Sequence, residues 1–187
     1  MDATLITVVS VGSILVFFVF ASIARARGLA RRGETITRAR GVTQYVPYFT
    51  FVPYVVVAAR PGPEIGVLES LRWVGLALIV GGVVFACWAI ATLGRHYDVE
   101  LEIHRDHEIV DRGPYRFVRH PVYTGLMLHF AGMCLATGNV VLILGTSLVT
   151  YPALYVRARA EEQLLRGRFG VAYDAYAKRV GMLVPLL

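Results

Sequence analysis

The sequence predicts an all-α fold, a polytopic helical membrane protein with about five transmembrane helices. Three observations lead there. Of 187 residues, 56% are hydrophobic and 17% charged, and the mean hydropathy is +0.58, too apolar for a soluble domain of this length. The apolar residues fall in long blocks, and a span needs about 20 mostly apolar residues. Between the blocks, arginines gather in a few polar connections.

Five blocks read as spans: residues 5–24, 42–59, 73–93, 121–136 and 140–156. The first follows Asp2 rather than a basic leader and is too long for a signal-peptide core, so it is expected to be retained. The second contains Pro47 and Pro53, which predict a kink supported by neighbouring helices. The last two are short and separated only by Thr137-Gly138-Asn139. They predict a tight helical hairpin whose arms need not each cross the full bilayer.

Charge sets the expected orientation. The connection 25–40 carries six arginines against Glu34, which places it in the cytoplasm by the positive-inside rule and the N-terminus outside. The loop 94–120 and the tail from Arg157 onward then share the cytoplasmic side, and 17 of the 19 Lys and Arg residues fall there, Arg60 and Arg72 being the exceptions. A pI near 9.6 therefore points to membrane lipids with anionic headgroups as partners. No nucleic-acid-binding signature accompanies it, and no nucleic acid is expected. Cys87 and Cys134 lie inside predicted spans, where packing is the expected role. Without repeats or a second domain, residues 1–187 read as one integral membrane domain: three N-terminal spans in 1–93 and a catalytic core in 94–187.

The loop 94–120 holds six acids, five arginines and four of the five histidines. Polar connections of this length are usually functional. The alternation Val99, Leu101, Ile103 predicts a short extended segment, and Ile109-Val110 a second apolar contact before a turn at Gly113-Pro114. His104, Asp106 and His107 could suggest a metal, but no cysteine joins them and the helical ligand spacing is missing, so no metal is expected.

The loop ends in Gly113-Pro114-Tyr115-Arg116-Phe117-Val118-Arg119-His120-Pro121-Val122-Tyr123-Thr124-Gly125. Pro121 suits a first helical turn and biases His120 out of the helix, so Arg119 and His120 are expected at the helix mouth, aimed at the water interface. Taken alone, Arg119 reads equally as a basic anchor. In the tail, Arg157 and Glu161 stand one turn apart and share a helix face where the fifth span leaves the apolar core. They read either as a site pair or as a surface ion pair with Arg157 snorkelling. Gly167 and Gly170 are expected to break this helix, and Tyr173 and Tyr176 to line one face of a short amphipathic segment or rest at the interface.

Together these blocks resemble the isoprenylcysteine carboxyl methyltransferase family, with phospholipid methyltransferases as near relatives. The matching features are His107-Glu108-Ile109-Val110, Gly113-Pro114-Tyr115, and Arg119-His120-Pro121-Val122-Tyr123-Thr124-Gly125, then Arg157, Glu161-Glu162, Phe169-Gly170, Tyr173, Tyr176 and Val180. The resemblance implies S-adenosylmethionine in a cytoplasmic pocket built from the loop, the last hairpin and the tail, with S-adenosylhomocysteine as product. His107, Glu108, Ile109, Val110, Tyr115, His120, Pro121, Val122 and Tyr123 would line the cofactor, and Arg157 and Glu161 would form the catalytic junction of cofactor and acceptor. A cofactor-contacting Gln of the eukaryotic enzymes falls by ungapped count on Glu100, whose charge could pair with the cofactor's amino group.

Such a reaction needs few catalytic groups. A sulfonium methyl is already activated, so the protein must chiefly align the reactants and strip water from the nucleophile. An acceptor carboxylate on a prenyl chain would suit Arg157, a permanently charged planar fork. By the resemblance, the expected function is an integral membrane S-adenosylmethionine-dependent methyltransferase, first of all for carboxyl O-methylation of a prenylcysteine-like or other lipid-linked or small hydrophobic acceptor, multi-pass in the cell membrane, with its site facing the cytoplasm. Amine N-methylation, thiol S-methylation and an NADPH-dependent reductase of the sterol-reductase type are the alternatives. A scaffold or small transporter fits less well, because the charges gather at one face instead of the membrane midplane.

Overall fold

The architecture comes from a computed structural model describing residues 2–29, 35–38, 54, 62–94, 97, 102–104 and 108–186. Among the described residues the longer helices and two short strands follow in order: α1 (Ala3–Leu29), β1 (Thr35–Arg38), α2 (Glu69–Leu93), β2 (Glu102–His104), α3 (Pro121–Thr137), α4 (Val140–Phe169) and α5 (Val171–Arg179). Among the described residues, Ala3–Gly28, Glu69–Leu93 and Val140–Phe169 are long and apolar enough to cross a bilayer. The fold is helical, as the sequence predicts. The second expected span, 42–59, lies outside the described residues apart from Tyr54.

Helices α2 and α3 form the tightest seam. Gly75 and Gly82 on α2 are seven residues apart, as are Gly125 and Gly132 on α3, and the pairs oppose each other antiparallel. A Cβ on Gly75 would stand 2.6 Å from Ala136 N, and one on Gly132 2.5 Å from Gly75 O. Only residues without side chains let two backbones approach this closely, which gives dispersion contact where lipid offers no hydrophobic drive. Helix α1 covers the seam: Ile6 packs with Leu76, Ile79 and Ala136, and Phe17 and Ala21 with Val83, Ala86, Ile90 and Phe130.

The expected hairpin forms at 137–139. Gly138 closes α3 in the left-handed conformation at φ +65°, and Asn139 caps α4 by accepting from Leu142 N at 3.0 Å. Its far arm continues past the end of the expected span at Val156, through Arg157 and Glu161, so that helix α4 runs 30 residues to Phe169, about 45 Å at the usual rise. Gly167 does not break it, because a glycine inside a helix costs only about 1 kcal/mol. Gly170, at φ +50°, ends it. Within α4 a π-helical turn at Thr146–Thr150 precedes Pro152, whose missing N–H cannot continue the regular ladder.

Beyond the helices, β1 and β2 pair antiparallel, from Thr35 opposite His104 to Arg38 opposite Glu102. Strand β2 overlaps the extended segment expected around residue 103. Cys87 and Cys134 are unlinked; the Cys134 thiol lies 3.4 Å from Thr146 Oγ1.

Candidate active site

The site forms where α3 begins, because the tail returns to that point. Val118 bridges Gly181 in parallel, and the N–H groups of Arg119 and His120 donate to Gly181 O at 2.8 Å and Met182 O at 3.1 Å. Thr124 Oγ1 adds a bond to Leu183 O at 2.8 Å. Pro121 opens α3, with His120 as its extended cap. The Tyr176 hydroxyl donates to Tyr115 O at 2.7 Å, tying α5 to the Gly113–Arg116 turn. Burial raises the Tyr115 and Tyr173 hydroxyls well above their ordinary range and pushes Tyr176 up to about 12, so all three stay protonated.

Arg119 and His120 are not aimed at water. His120 is buried and Arg119 largely so, because the tail and α4 close over them. Arg119 donates through Nε and Nη2 to Glu162 Oε1 at 2.7 and 2.6 Å, and through Nη1 to Ala177 O at 2.9 Å and to Val180 O. Arg166 Nη2 holds the other oxygen of Glu162 at 3.1 Å and, through Nε, Asp174 at 3.2 Å. The His120 ring lies within ion-pair range of both acids, Nε2 at 3.5 Å from Glu162 Oε1 and Nδ1 at 3.7 Å from Glu161 Oε2. Its buried Nε2 makes no hydrogen bond.

The two residues singled out on α4 meet through a third. Arg157 Nε donates to the Tyr123 hydroxyl at 3.0 Å, and that hydroxyl donates to Glu161 Oε2 at 2.9 Å. Arg157 is only 2% exposed, whereas the Glu161 side chain is 35% exposed. A buried guanidinium is not the snorkelling surface residue of the bland alternative.

The other expected site residues are spread more widely. Glu108 is exposed, and Val110 is half-buried. Ile109 packs against Tyr173, Tyr176 and Val180. Pro121 is buried at the start of α3, and Val122 faces the α1–α2–α3 core. Glu100, Asp106 and His107 lie outside the described residues. Sequence reasoning assigned no role to Glu162, although its spacing of four from Arg166 marks a helix pair. It also missed the returning strap 181–183, whose backbone contacts carry no side-chain signal.

Away from this cluster, toward the 137–139 hairpin, an open groove of about 410 Å³ is lined by Ile65, Val67, Leu78, Leu135 and Ile143, with Cys134, Thr146, Ser147 and Tyr151 among its polar groups. Tyr151 precedes Arg157 by six residues, about 9 Å along the helix.

Residues 73–167, just over half of the chain, match the family model for isoprenylcysteine carboxyl methyltransferase. The chain belongs to that family. A probable protein-S-isoprenylcysteine O-methyltransferase of Oryza sativa subsp. indica is 29% identical over 160 residues, covering 84% of each chain. Protein-S-isoprenylcysteine O-methyltransferase B of Arabidopsis thaliana is 31% identical over 125 residues, 64% of each. The solved structure of the eukaryotic intramembrane Ras methyltransferase ICMT shares 25% identity at TM-score 0.58, covering 79% of this chain and 54% of that one. The chain thus spans about half the length of that structure. Membership makes it an integral membrane methyltransferase, implies a methyl donor, and disfavours the reductase alternative.

Proposed function

We propose that this isoprenylcysteine carboxyl methyltransferase family member moves a methyl group from S-adenosylmethionine to the carboxylate of a prenylcysteine-like or other lipid-linked acceptor. The reaction would run on the cytoplasmic side of the cell membrane, with residues 94–187 as the catalytic core. The observation that carries this reading is the buried Arg157, joined through Tyr123 to the more open Glu161 where α4 reaches the polar end of the bundle.

The residues suit a sulfonium amino acid. Glu161 offers a partly open carboxylate for an ammonium group, and His120 a buried ring nitrogen without a hydrogen-bond partner. The His120 and Tyr123 rings stack at 5.6 Å and 16° beside that carboxylate. Tyr115, Ile109 and Val110 complete the proposed lining, joined by Glu108, Pro121 and Val122 if the turn carries the donor along its backbone. When bound, S-adenosylmethionine supplies a methyl group already activated for in-line displacement.

The chain's own residues then have limited tasks. Arg157 orients the acceptor carboxylate and offsets its charge, and its burial strengthens that attraction. Water is excluded by α3 and the tail strap. The lipid chain of the acceptor would enter between helices from the bilayer, with its head group at Arg157. An amine acceptor is less suitable, because Arg157 would repel its charged form.

Two measurements test this reading. S-Adenosylhomocysteine, and not NADPH, is expected to raise the Tm of the detergent-solubilised protein. Labelled methyl transfer to N-acetyl-S-farnesylcysteine should give a base-labile ester. Arg157→Lys should keep the Tm shift but lower kcat about 10- to 100-fold, because a point charge misplaces the acceptor. A Tm shift with NADPH alone, or undiminished turnover in Arg157→Lys, would count against the assignment.

A further inference from the structure

We infer that the Tyr123 hydroxyl is a positioning group that couples the two halves of the site, making the grip of Arg157 on an anionic acceptor depend on what Glu161 holds. The inference rests on the methyl-transfer reading above.

The direction of the hydrogen-bond chain is fixed by chemistry. Arg157 Nε–H can only donate, so the Tyr123 oxygen accepts at 3.0 Å. Its single hydrogen then points to Glu161 Oε2 at 2.9 Å, and an ionised carboxylate can only accept. The relay therefore runs from a guanidinium that is 2% exposed to a carboxylate that is 35% exposed. Glu161 neutralises Arg157 through this hydroxyl, and hydrogen bonds in a chain polarise one another.

The hydroxyl has little freedom to move. The Tyr123 ring stacks on His120, and the His120 backbone is pinned by Met182 O and by the Thr124 N–H at 3.0 Å. Repositioning the ring would disturb the tail strap as well. When a cationic group settles on Glu161, less of the carboxylate's charge reaches Tyr123, and less of the Arg157 charge is cancelled. An anion on Arg157 is then held more tightly. By linkage, the acceptor tightens donor binding by the same factor.

The test measures binding as well as rate. Affinity of the wild-type protein for N-acetyl-S-farnesylcysteine should rise at least about fivefold with saturating S-adenosylhomocysteine, the lower end of usual coupling. Tyr123→Phe removes one oxygen and keeps the stacked ring. Its coupling should fall below about twofold, and its kcat should drop. Glu161→Gln should also lose the coupling, and the double variant should lose no more than either single one, as members of one chain do.

Full coupling in a folded Tyr123→Phe protein overturns the inference, as does a wild type that binds both ligands without coupling. Should Tyr123→Phe fail to fold, retained coupling in Glu161→Gln overturns it equally. A wild-type protein that binds no S-adenosylhomocysteine instead removes the underlying methyl-transfer reading, so the two failures are distinguishable.

Discussion

Arg119 and Glu162 are 43 residues apart in the chain and meet at 2.6 Å, with side chains 10% and 1% exposed. The pair joins the start of α3 to the polar end of α4, and through Ala177 O and Val180 O it also secures the end of α5. A buried charge left without its partner is strongly unfavourable, so this pair holds the floor of the candidate site in one arrangement.

Glu162→Ala should therefore destabilise the protein by about 3 kcal/mol, because the Arg119 charge remains buried and unpaired. Arg166→Ala removes the more exposed partner of the same carboxylate and should cost less than about 1 kcal/mol. Chemical denaturation in a fixed detergent compares the two. Equal losses would show that Arg119 and Arg166 contribute alike.

The glycine seam offers a neighbouring pair with opposite expectations. A Cβ on Gly82 would run into Gly125 O and stand 2.6 Å from His129 N, whereas one on Gly81 meets nothing within 4 Å. Gly82→Ala should cost about 1–3 kcal/mol by forcing the helices apart. Gly81→Ala should leave the Tm unchanged or slightly higher. Matching Tm values for the two variants would contradict the close approach of α2 and α3.

The tail supplies acceptors to Arg119 N–H and His120 N–H, and two such bonds at about 1 kcal/mol each make it a structural part of the site. Deleting residues 181–187 should weaken S-adenosylhomocysteine binding more than tenfold while helical circular dichroism persists. Deleting only 185–187 keeps all three accepting carbonyls and should change nothing. Calorimetric titration of both truncations checks this, and normal affinity in the longer deletion would exclude the strap from the donor site.

Orientation is testable by labelling. With Cys87 and Cys134 replaced, a cysteine at Gly33 should react with a membrane-impermeant maleimide only from the cytoplasmic side, and one at Gly66 only from the opposite side. Labelling of both from one side would reverse the proposed topology of the loop 25–40 relative to residues 62–68.

The membrane class, the apolar blocks that form α1 to α4 and the turn at Gly138 were legible in the sequence alone. Apolar block length, Pro121 at a helix start and a glycine between two spans act locally, and local rules read them. Of the two glycines expected to end α4, only Gly170 does, because Gly167 is too weak a breaker to decide against neighbouring helix formers. The family motifs singled out Arg157, Glu161 and Tyr123 but left open whether the charge pair was buried or wet. Only the tertiary structure decided that the Tyr123 hydroxyl lies between them, that Arg119 turns inward to Glu162, and that residues 181–183 return to the start of α3. Each of these joins groups at least 34 residues apart. A one-dimensional pattern records which residues share a helix face, but not which other helix that face meets.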